Sequence, residues 1–221
     1  MSTLSDLFEA IVVGDRTRAA ALTHQALDEC TDPATVMNQS LIPAMEEVGR
    51  LFLADKYFLP EMMISADAMN AALTILKPFV TAGTLKAQGK VVLGTVRGDL
   101  HNLGKNIVRM MLGGAGFEVV DAGIDVPAAR FVELARAEKP DVIGLSALLT
   151  TTMPAMRDVI VALREAGLRD QVKVIIGGGP VTQEYADDIG ADGYARDAPE
   201  AVPLVRRLLG LDDKLQKGSG L

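Results

Sequence analysis

The sequence predicts an α/β protein in two parts, an N-terminal four-helix bundle followed by a five-stranded parallel sheet of flavodoxin-like, Rossmann-type order. Three observations lead there. The first eighty or so residues carry apolar side chains at helical spacing, a stretch at 81–89 breaks that pattern with Gly83 and Gly89, and beyond it short Val-, Ile- and Leu-rich runs alternate with helical segments.

In the first part, Leu4 to Val13 reads as one helix. Asp15 can accept a backbone N–H at the N-cap of a second, running toward Leu27, and Asp32-Pro33 supplies the N-cap and N1 pair of a long third helix through Phe52. Pro60 opens a fourth, with Met62, Met63, Ala66, Met69, Leu73 and Leu76 near one face. Four helices with short connections make a bundle. The domain boundary is expected in the linker Thr81 to Gly89, which leaves a helical domain over 1–84, a sheet domain over 90–212 and a tail over 213–221.

In the second part, strands are expected near 90–96, 117–121, 141–146, 172–177 and around 193–194, with helices at about 104–115, 128–138, 153–166, 181–188 and 199–209. Each parallel strand needs a crossover connection, and crossovers are right-handed, so helices cover both faces. In the order 2-1-3-4-5 the switch point lies between strands one and three. The loops after strands one, three and four then emerge together at the carboxyl edge, where sheets of this kind bind ligands.

Composition narrows the function. Hydrophobic residues at 49% and charged residues at 23% are those of an ordinary globular chain. No apolar run reaches the ~18 residues of a membrane span, and the N-terminus lacks the basic and apolar regions of a signal peptide, so a cytoplasmic protein without a membrane partner is expected. A net charge of −7 and the absence of Trp exclude a nucleic-acid surface, which needs clustered cations and stacking platforms. The single cysteine, Cys30, cannot form an intrachain disulfide and reads as an inert thiol.

The most specific stretch is Gly98-Asp99-Leu100-His101-Asn102-Leu103-Gly104, on the loop from the first strand into a helix. A carboxylate near an imidazole can accept its Nδ1 proton, fix the tautomer and leave Nε2 for a metal. Gly104 lets the backbone approach a large ligand closely. The competing reading of Asp99 is a cap for the following helix.

The pattern Asp-x-His-x-x-Gly resembles the signature of cobalamin-binding domains, including the cobalamin-binding module of methionine synthase. Two later loops fit the same family, Gly144-Leu145-Ser146-Ala147-Leu148-Leu149-Thr150 and Ile176-Gly177-Gly178-Gly179. Upstream, Val48-Gly49-Arg50-Leu51-Phe52 and Tyr57-Phe58-Leu59-Pro60-Glu61-Met62 look like the helical cap of methyl-transferring members. The resemblance thus runs from the first helix to Leu209. It implies that the sheet domain binds cobalamin or a related corrinoid, that His101 is the axial ligand of its cobalt, and that Asp99 and Thr152 form a relay behind His101. Gly98, Leu100, Asn102, Leu103 and Gly104 would complete the first binding loop. Ser146, Thr150, Gly177, Gly178 and Gly179, with Ala198, match positions that contact the displaced nucleotide tail, and Leu148 is a further cofactor-binding residue. Phe52, Leu59 and Met62 match the cap residues that cover the reactive face, a water-excluding lid for methylcobalamin and the cob(I) and cob(II) states. Many relatives have Asp where this chain has Asn102, which removes a charge.

The function so implied is that of a corrinoid protein in a multi-component methyltransferase system of the methylamine, methanol or O-demethylase type. It would be a methyl carrier, not a complete enzyme, since a substrate barrel alone takes roughly 250 residues. Its expected partners are a substrate:corrinoid methyltransferase, a corrinoid:tetrahydrofolate or corrinoid:thiol methyltransferase, and a reductive activase. The rivals are a cobalamin-dependent regulator, which usually adds a basic DNA-binding module not seen here, and the cobalamin subunit of a radical mutase, which normally lacks the helical cap.

Overall fold

The computed structural model of the chain describes residues 2–81 and 87–211. Its contacts gather into two units, Met1–Ala87 with Met110–Gly116 and Gln88–Arg109 with Phe117–Leu221. The middle of the expected linker, 82–86, and the expected tail, 213–221, lie outside the described residues.

The helices of the N-terminal part are α1 (Thr3–Val12), α2 (Arg16–Asp28), α3 (Pro33–Val36), α4 (Ile42–Leu53) and α5 (Leu59–Thr81). Ser2, Asp15 and Asp32 each accept a first-turn backbone N–H with the side chain, and Pro33 follows Asp32 as the sequence predicts. The long third helix is one rod but not a uniform one. Met37–Leu41, between α3 and α4, is π-helical, with the Ile42 N–H donating to the Met37 carbonyl. Pro43 has no N–H to continue the ladder, and its ring crowds the carbonyl four residues back; the wider turn before it gives room. The fourth helix also runs further than its periodicity predicts, carrying Pro78 near its end. Leu7, Ile11, Leu41, Met45, Met62, Met69 and Leu76 are fully buried. The Val12 carbonyl, left open at the end of α1, accepts from Ser65 Oγ at 2.8 Å and Tyr57 Oη at 3.0 Å.

From Lys90 onward the elements are β1 (Lys90–Val96), α6 (Leu103–Gly114), β2 (Glu118–Val126), α7 (Ala128–Glu138), β3 (Val142–Ser146), α8 (Pro154–Glu165), β4 (Lys173–Gly177), α9 (Gln183–Ile189), β5 (Gly193–Ala195) and α10 (Ala198–Leu208). All pairings are parallel and the order is β2-β1-β3-β4-β5, as expected from the alternation. On one face Val92, Val96, Ile143, Val174 and Ile176 pack with Phe131 of α7 and Met156 and Ile160 of α8. Gly94 makes room for Phe131, whose ring would lie 2.6 Å from an added Cβ. The other face holds Leu93 and Ile175 with Gly144 between them, and Gly193 beyond Ile175 with Leu204 of α10 against it.

One strand departs from expectation. β2 was expected to end at 121 but continues to Val126, through two irregularities in its pairing with β1. The polar and small residues Asp121, Ala122, Gly123 and Asp125 interrupt the apolar run and hide this continuation from a pattern reading. No helix among the described residues is long and apolar enough to cross a membrane.

Candidate functional site

The carboxyl ends of the strands form one row. Thr95 pairs with Ser146, Ser146 with Gly177, and Gly177 with Ala195. The loops that leave β1, β3 and β4 therefore start side by side.

The chain leaves β1 through Gly98, whose φ of +84 is the left-handed conformation that a side chain disfavours. Asp99 follows, with its side chain fully buried. Its Oδ1 accepts the backbone N–H of His101 at 3.0 Å and lies 2.7 Å from His101 Nδ1. Its Oδ2 accepts the Leu148 N–H and the Thr152 hydroxyl, both at 2.7 Å. Burial pushes this carboxyl up, but the backbone hydrogen bonds from His101 and Leu148 and the side-chain bonds from Thr152 and His101 outweigh it and hold Asp99 well below the usual carboxylate range. An ionised Asp99 offers only acceptors. The proton between it and Nδ1 thus belongs to the imidazole, which leaves Nε2 as the nitrogen that can meet a metal.

His101 is half exposed, at 49% of its side chain, and among the described residues its Nε2 takes no hydrogen-bond partner. Its own carbonyl accepts the Thr95 hydroxyl at 2.8 Å, so the main chain of His101 is held on both sides. Thr95 was not singled out in the sequence. Its signal is a hydroxyl inside an otherwise apolar strand, at a position that is 1% exposed. Thr152 Oγ1 lies also 2.9 Å from the Leu149 carbonyl, but a hydroxyl has one proton, and the carboxylate is the stronger acceptor. The helix-cap reading of Asp99 fails: the Asn106 N–H donates to the Asn102 carbonyl, which puts Asn102 at the N-cap of α6.

Around His101, Leu100, Leu103, Leu148, Leu149 and Ile124 are all exposed, an apolar rim on the sheet edge. An added Cβ on Gly104 would meet nothing within 4 Å. Ser146 is half-buried on β3 and Thr150 exposed beyond it. Gly177, the last residue of β4, and Gly178 after it have a steric reason of their own to be glycine. A Cβ on Gly178, where φ is +132, would sit 1.8 Å from the Ala147 carbonyl oxygen, and one on Gly177 would sit 2.8 Å from that of Ala195. Neighbouring backbone fills those spaces. Ala198 is buried at the start of α10 behind the Asp197 cap. In the helical unit Phe52 and Leu59 are half-buried, while Met62 is only 2% exposed.

His101 is a lone donor among the described residues, where no three His, Cys, Asp or Glu side chains gather to hold a metal ion. An outward Nε2, an apolar rim and the open side of Gly104 fit a large, flat, mostly apolar ligand whose metal brings its other ligands with it.

The comparisons agree with that chemistry. The B12 binding domain family matches residues 89–203, and a second B12 binding domain family matches residues 3–77. The dimethylamine corrinoid protein 2 of Methanosarcina acetivorans is 49% identical over 207 residues, 93% of this chain and 95% of that protein. A corrinoid protein of Desulfitobacterium hafniense is 44% identical over 213 residues, 95% of this chain and 99% of that one. Among solved structures, the methanol:cobalamin methyltransferase complex MtaBC of Methanosarcina barkeri is similar with a TM-score of 0.84 and 30% identity, over 99% of this chain and 85% of the matched one. A cobalamin-binding protein of Desulfitobacterium hafniense is similar with a TM-score of 0.78 and 33% identity, over 94% of this chain and 99% of that one. With two B12-binding matches along its length and 49% identity to a corrinoid protein over 93% of the chain, the chain belongs to the B12-binding corrinoid proteins of methyltransferase systems.

Proposed function

We propose that this corrinoid protein is the methyl carrier between two methyltransferases, with a methylamine as the donor class. The observation that carries the reading is the buried, ionised Asp99 that presents His101 Nε2 at the open edge of the sheet. The names of the dimethylamine corrinoid relatives support the donor class. When bound, the corrinoid would supply a methyl-accepting and methyl-donating cobalt, with a substrate:corrinoid methyltransferase, a corrinoid:tetrahydrofolate or corrinoid:thiol methyltransferase and a reductive activase as the partners.

In this reading His101 is the cobalt ligand, and Asp99 and Thr152 keep its Nδ1 protonated and its ring oriented. Gly98, Leu100, Asn102, Leu103 and Gly104 form the loop against the ring system. Ser146, Leu148, Thr150, Gly177, Gly178, Gly179 and Ala198 border the slot for the nucleotide tail, where the glycines set the path of the backbone. The helical domain, 1–84, acts as the cap, with Phe52, Leu59 and Met62 as its water-excluding residues. The carrier works in the cytoplasm.

The test is an anaerobic assay of the reconstituted protein with mono-, di- and trimethylamine and methanol, each with a matching methyltransferase, followed by absorbance of the bound corrinoid. Methylation by a methylamine system alone is expected. Methylation by the methanol system alone would overturn the donor class, and no methylation by any would overturn the carrier.

A further inference from the structure

We propose that Asp125, on the bulged end of β2, is a positioning residue that sets the loop carrying Asp99 and His101. The pairing of β2 with β1 slips twice. Leu93 pairs with Asp121, Gly94 with Gly123 and Val96 with Val126, so β2 holds two residues more than its partner over this stretch. Such bulges bend a strand and re-aim what it carries. Here they place Gly123 and Asp125 in the left-handed region, with φ of +95 and +52. Aspartate is one of the few residues besides glycine that visits this region readily.

In that conformation Asp125 makes two opposed hydrogen bonds to the Gly98-Asp99 dipeptide, one at each end. Its backbone N–H donates to the Asp99 carbonyl at 3.0 Å, and its Oδ1 accepts the Gly98 N–H at 2.7 Å. The segment held in this way is the one whose next atoms are the Asp99 side chain, and that side chain in turn holds the ring and the main chain of His101. Asp125 is itself exposed, and these two hydrogen bonds go to main-chain atoms of Gly98 and Asp99, so it acts through the backbone. The far end of the loop has a separate anchor. Lys105, buried on the first turn of α6, reaches Asp121 of the same strand at 2.6 Å. With α6 held by that pair, loss of the Asp125 side chain frees the entry to the loop without freeing its exit. β2 therefore fixes the direction of the imidazole from one strand away.

This inference rests on His101 being the cobalt ligand. Its test compares wild type, Asp125→Gly and Asp125→Asn. Glycine accepts φ of +52 without strain and keeps the N–H, losing only the acceptor; asparagine keeps an acceptor oxygen and tolerates the same φ. Titration with cobalamin, followed by absorbance, should show about a tenfold loss of affinity in Asp125→Gly, the lower end of what support of a ligand histidine is worth. Asp125→Asn should stay close to wild type. Electron paramagnetic resonance of the cob(II) state should show a mixture of nitrogen-coordinated and uncoordinated cobalt in the glycine variant only. In the protein without corrinoid, the Gly98 amide should exchange fast in Asp125→Gly and slowly in Asp125→Asn, with the Leu93 amide, inside β1, as the control for folding. Equal affinity and spectra for wild type and Asp125→Gly, or equal damage from both substitutions, would overturn the proposal. An absent nitrogen signal in wild type would instead remove His101 as the ligand, and Gly98 exchange would then decide the positioning role by itself.

Discussion

Oδ1 of Asp99 sits 2.7 Å from Nδ1 of His101 and accepts the backbone N–H of the same residue at 3.0 Å, so one buried oxygen fixes both the ring and the main chain of the histidine. The other oxygen is tied to Leu148 and Thr152, across the sheet edge. A ligand held so firmly loses little conformational freedom when it meets a metal, and its tautomer is already chosen.

His101→Ala should remove the axial nitrogen splitting from the cob(II) resonance spectrum. Asp99→Asn keeps the shape but loses the charge that selects the tautomer, and affinity for cobalamin should fall by roughly 10-fold to 100-fold, measured by equilibrium titration. A spectrum of His101→Ala identical to wild type would assign the nitrogen elsewhere.

Thr152→Val takes away one of the hydrogen bonds that keep Asp99 ionised in a fully buried place. Bonds to charged groups are worth about 1.5–3 kcal/mol, so urea unfolding of the corrinoid-free protein should show a loss in that range. Thr152→Ser retains the hydroxyl and should lose less. Equal losses would mean that the methyl group matters as much as the hydroxyl, and a larger loss in Thr152→Ser would overturn the hydroxyl's role.

The Lys105–Asp121 pair gives an asymmetric expectation. Lys105 is 4% exposed, whereas the Asp121 carboxylate is 30% exposed. Asp121→Asn strands a buried cation and should cost about 3 kcal/mol; Lys105→Met leaves a carboxylate that water can still reach, and should cost less. Burial raises the Asp121 carboxyl, but the Lys105 hydrogen bond and the Gly123 N–H outweigh that and lower it. A lowered folded value adds stability above the unfolded value of about 3.9, and that part is lost as pH falls through the folded one. Wild type should therefore lose more stability below pH ~4 than Lys105→Met does. Parallel acid unfolding curves for the two proteins would contradict this.

Two glycine substitutions should act in opposite ways on the corrinoid-free protein. At Gly104, on the first turn of α6, an added methyl meets no protein atom, and alanine should be neutral or stabilising by up to about 1 kcal/mol. In the proposed binding loop it lies against the ring system, so cobalamin affinity should fall. Gly178→Ala collides with the Ala147 carbonyl and has a φ unsuited to alanine, so it should lower the melting temperature even without cobalamin. Unchanged cobalamin affinity in Gly104→Ala would remove Gly104 from the binding face.

Much of this protein is written in local pattern. The apolar period decides which segments are strands and which are helices, and strict alternation of the two from Lys90 onward leaves a parallel sheet with few alternative orders. The pairing of Asp99 with His101 is also local, two residues apart, and a short loop can close it without help. What the sequence cannot express is distance between segments far apart in the chain. Leu148 and Thr152 reach Asp99 across 49 and 53 residues, and only the alignment of Thr95 with Ser146 brings them there. The π-helical turn before Pro43, the length of β2 and the aim of Asp125 were likewise settled by how neighbouring elements pack and pair. So was the reason for Gly178, whose missing side chain is owed to the Ala147 carbonyl on the adjacent loop. A residue type records a preference, but two bulges in β2 and a carbonyl within 2 Å of an absent Cβ exist only once register and packing have been chosen.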